Sequence, residues 1–176
     1  MTNVHPSSIP PDGRHLYTVR VYYEDTDAGG VVYHANYLRY AERARTEALR
    51  SMGIPHAEMV GLFNLMFVVR RIEVDYQRAA RLDDTLTVMT ESAEVGGASL
   101  ILRQDVRGSL GSCAVITVRL ACVRPGENKP GRIPSRWHAA LIAMRDARSG
   151  NAIETHAAAR DVSHERPVGG SIGPDS

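Results

Sequence analysis

Three carboxylates fall within four positions, at Glu24, Asp25 and Asp27. Two glycines follow at Gly29 and Gly30, and His34 stands seven residues beyond Asp27, where a helical pattern begins. A helix N-terminus offers free backbone N–H groups and a partial positive charge. Those donors can hold a developing oxyanion, and the same field favours an ionised aspartate. Glycines at the turn permit backbone angles that other residues resist and leave room for a substrate. The stretch can therefore set a carboxylate beside an oxyanion hole, a pair that suits acyl transfer. A thioester fits better than an amide, because a thiolate with a free-thiol pKa of about 8.5 leaves without a strong acid behind it. One carboxylate then suffices, as nucleophile or as general base on water. His34 is placed to polarise the carbonyl, to orient water or to contribute its N–H. Tyr23 is placed to aim its hydroxyl at the same pocket.

The elements that must position these groups follow from periodicity. LYTVRVYYE (16–24) alternates as a strand, with Val19, Val21 and Tyr23 on one side and Thr18, Arg20 and Tyr22 on the other. After the loop DTDAGG comes a long helix, with Asn36 as its expected N-cap and Gly53 and Pro55 as its stop. Tyr37, Ala41, Ala44 and Ala48 share one face, small enough for close approach to a sheet. Arg39, Glu42, Arg43, Glu47 and Arg50 form the polar face. Four more strands are expected at 67–77, 86–95, 99–106 and 113–123, three of them joined by short turns. The first of the four is irregular near Arg70 and Arg71. The fold class is α+β, a five-stranded antiparallel sheet with one long helix on it. One helix cannot cover both faces of such a sheet, so exposed edge and surface argue for association of copies. Trp137, Leu141 and Met144 recur at helical spacing, marking a short helix over 135–150. Residues 1–13 and 151–176, rich in Pro, Gly and polar side chains, read as a disordered tail and a flexible tail. The folded domain spans 14–134.

Composition sets limits. The chain has 176 residues, 43% hydrophobic and 23% charged, ordinary for a globular domain. A formal net charge of +1 argues against a nucleic-acid footprint. Cys113 and Cys122, nine positions apart on one strand, would lie about 30 Å apart, too far for a bridge. With no disulfide framework, no secretory h-region and no apolar run long enough for a membrane span, a cytoplasmic protein is expected. No HExxH or paired-cysteine spacing supports a metal, His138, His156 and His164 read as tail residues, and no cofactor is expected.

The string VRVYYEDTDAGGVVYHANYLRYAERARTEAL closely resembles the YbgC-type acyl-CoA thioesterases of the hotdog-fold superfamily, which are associated with the Tol-Pal system. FVVRRIEVDYQRAARLDDTL, the GGASL turn and the apolar last strand extend the match over about 16–134. The resemblance implies a central helix wrapped by the sheet. It also implies subunits paired edge to edge, active sites at the dimer interface, and a dimer or dimer of dimers. The catalytic aspartate of the family falls on Asp27, not Asp25. Its active-site tyrosine and histidine fall on Tyr23 and His34, and its carbonyl-polarising N–H falls at or beside His34. Implied substrates are acyl-CoA thioesters, often short-chain, with acyl carrier protein as a partner of some members. The resemblance gives no account of 135–150 or of the tail.

Plainer roles stand beside these. Asp27 in a loop also suits turn capping, as do Glu24 and Asp25. His34 suits a satisfied buried histidine, and Tyr23 a core aromatic whose hydroxyl finds a partner. Arg70, Arg71, Arg124, Lys129 and Arg132 suit either a phosphate-binding rim or a solvated surface. A scaffold for acyl carrier protein or envelope factors is the alternative function. A hotdog dehydratase, acting on the β-carbon, is a third.

Overall fold

The computed structural model describes residues 12–127 and 129–147. Five strands form one antiparallel sheet in the order β1-β3-β4-β5-β2. They are β1 (Arg14–Arg20), β2 (Met66–Tyr76), β3 (Thr85–Val95), β4 (Ser99–Gly108) and β5 (Gly111–Val123). β3, β4 and β5 form a meander, while β2 returns along β5 and becomes an edge. The expected α+β class and the long helix on an antiparallel sheet hold. The irregularity near the two arginines is a bulge between Val69 and Arg71.

Helix α1 (His34–Ser51) lies on the sheet through Tyr37, Tyr40, Ala41, Ala44 and Ala48. The first four of these pack with Val21, Leu86, Val88, Val106 and Ile116. Each such aliphatic side chain contributes about 1.5–3 kcal/mol on full burial. The alanines bring the helix backbone within reach of a side chain on β4. Gln104, with 0% exposure, donates to the Ala41 carbonyl and to Thr90 Oγ1, both at 2.9 Å. Its Oε1 accepts from Arg45 at 2.7 Å, and Arg45 also pairs with Glu42. A buried polar network of this kind is stable because its donors and acceptors are matched.

Four readings of the sequence are corrected. β1 ends at Arg20, four residues early, and Tyr23–Asp25 form a 3-10 turn. The Asp25 carboxylate accepts the Tyr22 N–H at 2.9 Å, and that side-chain bond turns the chain out of the sheet. The N-cap of α1 is Tyr33, not Asn36. A helix absent from the sequence reading, α2 (His56–Phe63), follows α1 and ends at Asn64, which takes the left-handed conformation at φ 49°. His138 belongs to the expected C-terminal helix, α3, which covers 135–147 of the described residues. Trp137 of α3 donates to the Ile54 carbonyl at 2.9 Å, so α2 and α3 share a second core with Met59 and Leu65. The tail expected at 151–176, and the N-terminal tail up to residue 11, lie outside the described residues.

Candidate active site

The acidic segment is docked onto the start of α1 by the carbonyl of one residue. The Asp25 carbonyl accepts the Tyr33 N–H at 2.8 Å and the Asn36 side-chain amide at 2.9 Å. Asn36 is therefore a buried tie between loop and helix rather than a cap. Sequence reasoning named the residue and missed its partner, which lies eleven positions away. Asp25 is structural, as its capping of the 3-10 turn indicates. Its carboxylate also faces Tyr40, whose hydroxyl is raised well above its usual pKa by burial and then by that negative charge.

Beyond Asp25 the chain makes a narrow turn. Thr26 bridges Val32, the Asp27 N–H donates to the Val31 carbonyl at 2.9 Å, and the Gly30 N–H donates back to the Asp27 carbonyl at 3.0 Å. Gly30 sits at φ +70°, which a side chain resists. Asp27 Oδ1 accepts the Gly29 N–H at 2.8 Å, which fixes the carboxylate while leaving the residue exposed. This turn-capping bond realises the plainer role too, and it still leaves Oδ2 for chemistry.

His34 is the first residue of α1 and is exposed. Its ring lies 4.3 Å from that of Tyr33 and edge-on to Tyr76 at 6.4 Å. The Tyr76 hydroxyl donates to the His34 carbonyl at 3.0 Å, tying the end of β2 to the helix entrance. No side chain caps α1; the Asn36 N–H donates to the Tyr33 carbonyl at 2.8 Å, which leaves the His34 and Ala35 N–H groups without a side-chain capping oxygen. The turn and the helix start thus bring Asp27 and His34 to one end of the molecule. Tyr23 shares the segment, but its side chain is 81% exposed on the 3-10 turn instead of facing inward from a strand. Tyr37 and Tyr76 were not among the candidate residues. Tyr37 accepts the Ala80 N–H at 3.0 Å, so two tyrosines bind the helix entrance to the β2–β3 connection. Their spacing carries no local sequence signal. Among the described residues, no group of three or more His, Cys, Asp or Glu side chains is placed to hold a metal.

An acidic turn locked against a helix start on a meandering sheet is an arrangement that suits acyl transfer. Residues 29–110 match the family model described as Thioesterase superfamily. The chain is 46% identical over 134 residues to the acyl-CoA thioesterase YbgC of Haemophilus influenzae, covering 76% of this chain and 98% of that one. It is 43% identical over 122 residues to the acyl-CoA thioester hydrolase YbgC of Escherichia coli, covering 67% of this chain and 88% of that one. A crystal structure of a probable thioesterase from Bartonella henselae superposes with a TM-score of 0.65 at 35% identity, covering 69% of this chain and 99% of that one. The chain belongs to the hotdog-fold thioesterase superfamily, with the YbgC proteins among its relatives.

Proposed function

We propose that this chain hydrolyses acyl-CoA thioesters to free acid and CoA, with Asp27 supplying the reactive carboxylate. The observation that carries this reading is the locking of the Asp27 turn against the start of α1 through the Asp25 carbonyl. The thioester carbonyl lies against the first-turn N–H groups at His34. Asp27 takes a proton from water as the water oxygen adds to the carbonyl carbon, or its own oxygen adds first to give a mixed anhydride. The oxyanion rests on the helix start. The carbon–sulfur bond then breaks and CoA leaves as thiolate, which recovers a proton from solvent. On the anhydride route, water then cleaves the acyl group from Asp27. His34 orients the substrate at the entrance, and Tyr23, exposed beside it, lines the approach. Under single turnover in labelled water, label in Asp27 marks the anhydride route with water adding to the Asp27 carboxyl carbon.

The test is thiol release from a panel of acyl-CoA substrates. Asp27→Asn keeps the same shape and the hydrogen bond from Gly29 but lacks the base. A loss of roughly 10²–10⁴-fold is expected. Undiminished turnover would remove Asp27 from the mechanism. Inactivity of the wild type on every CoA ester, with activity on acyl carrier protein esters, would move the substrate to the carrier. Stoichiometric capture of a partner without turnover on either would favour a scaffold. Two copies pairing along β2 form the functional unit in this reading. The support is that β2 is an open edge carrying exposed Val69, Ile72 and Tyr76. No helix among the described residues is long and apolar enough to cross a membrane.

A further inference from the structure

The outer face of the sheet, opposite α1, holds a cleft of about 450 Å³ beside the β3–β4 turn. That size falls within the ~300–1,000 Å³ usual for small-molecule sites. The cleft lies away from Asp27. Arg70 on its wall and Tyr76, bonded to the His34 carbonyl, are six positions apart on β2, about 20 Å at ~3.3 Å per residue.

Seven arginines stand on the strands. Arg14, Arg71, Arg103 and Arg107 each pair with a carboxylate, and Arg20 donates to the Asp83 carbonyl. Among the described residues Arg70 and Arg119 have no such partner, and both line the cleft. The β2 bulge brings them together. Arg119 on β5 stands opposite Arg71, which is already paired with Glu73, and the extra residue of the bulge is Arg70. Two neighbouring guanidinium groups resist this placement unless an anion joins them.

The other side of the cleft differs. Glu94 stands opposite Ile101, and Ile101 opposite Arg119, so Glu94 lies two strands from Arg119, about 10 Å at ~4.8 Å per strand. Glu94 lines the cleft too and has no ion pair among the described residues. The floor is Ala121, 9% exposed and opposite Ser99. A side chain at Gly96 would meet Ser99 Oγ at 2.8 Å, so the turn leaves that hydroxyl its space.

This polarity selects a ligand. Paired guanidinium groups suit a phosphate. A bare phosphate would leave most of the cleft empty, and a long polyanion would be repelled by Glu94. A carboxylate about 10 Å from the cations suits hydroxyl or amino donors at the far end of the same molecule. A nucleotide carries these parts in order: phosphate, sugar and amino-bearing base. We propose that the cleft binds a nucleotide, with its phosphate between Arg70 and Arg119 and its donors toward Glu94. The same chemistry belongs to a free nucleotide and to the nucleotide end of CoA.

Calorimetric titration with adenosine 3′,5′-bisphosphate reads the cleft whether or not the chain hydrolyses thioesters. Arg119→Gln should weaken binding about tenfold. Ala121→Leu fills the floor without changing charge and should weaken it as much, with thermal unfolding reporting the fold of each variant. Glu94→Gln should weaken the nucleotide and leave pyrophosphate binding as it was. No binding by the wild type, or an affinity unmoved in the folded Arg119→Gln and Ala121→Leu variants, overturns the proposal. So does a pyrophosphate affinity equal to that of the nucleotide and indifferent to Ala121, the mark of a plain basic patch. Kinetics then name the source. If Arg119→Gln raises KM for an acyl-CoA but not for the matching acyl-pantetheine, the cleft takes the nucleotide end of the substrate. If both KM values stand while bisphosphate binding is lost, the ligand is a free nucleotide. An equal rise in both would place the effect of Arg119 at the acyl site and overturn the assignment.

Discussion

At Gly29 a methyl group would sit 3.1 Å from Oδ1 of Asp27, closer than such contacts are comfortably made. The glycine is there because the carboxylate is folded back onto its own turn and accepts the Gly29 N–H. Gly29→Ala should therefore leave the fold intact and displace the carboxylate by a few tenths of an ångström. A displacement near 1 Å can cost about 100-fold in rate, so a fall of about tenfold in kcat with little change in KM is expected. An unaltered kcat would mean that the position of Asp27 is not critical. The acidic cluster, the glycine pair and His34 were legible in the sequence because their chemistry is local. The inward aim expected of Tyr23 was not, because it assumed that alternation continued past Arg20. A side-chain bond from Asp25 to the Tyr22 N–H ended the strand first. Asn36 misled for the opposite reason, since a good capping residue was recruited by a carbonyl from a distant turn.

Among the elements, strands declared themselves by alternation and α1 by its alanine face, whereas α2 did not. Its apolar residues surround it, so no single face stands out. Met59 is fully buried while Leu62 is 67% exposed. What anchors α2 is polar. His56 Nε2 accepts the Phe67 N–H at 3.0 Å, with the two rings stacked at 6.1 Å. That bond requires neutral imidazole. Burial lowers the His56 pKa below its ordinary value, and the Glu42 carboxylate on α1 partly opposes the shift. The folded protein thus binds fewer protons at this site than the unfolded chain. The stabilisation is complete above the unfolded pKa of about 6.5 and is lost as pH falls toward the lower folded value. Urea unfolding should show stability dropping between pH 7 and pH 5. His56→Gln, which does not titrate, should flatten that slope. His15 is lowered by burial as well, so some slope remains in the variant. An identical slope in both proteins would remove His56 as a source of it.

For the whole molecule, the sequence argued for association because one helix leaves a sheet face uncovered. The outer face turns out to be covered by charge. Glu91, 8% exposed, lies between Arg14 at 3.8 Å and Arg103 at 3.6 Å, and Arg107 approaches Asp105 at 3.9 Å. A face dressed in ion pairs is content in water, and burying it would cost the desolvation of every charge. The unfinished business is the edge, where β2 has no strand beyond it among the described residues and carries exposed Val69, Ile72 and Tyr76. Edge pairing satisfies both the backbone and the apolar side chains, so it should dominate association. Arg71 and Glu73 form an ion pair at 2.7 Å on β2, and a two-fold axis centred on Ile72 between them would set Arg71 of each copy opposite Glu73 of the other. Glu73→Arg places arginine opposite arginine twice in each pair and should convert the associated species to monomer in sedimentation at micromolar concentration. Its thioesterase activity should fall with it, because two copies paired along β2 form the functional unit proposed above. Adding Arg71→Glu to Glu73→Arg exchanges the two charges and recreates both opposite-sign contacts. Association and activity should return together. Restored folding without restored association would place the interface elsewhere, while association that ignores both substitutions would mean that β2 is not the seam.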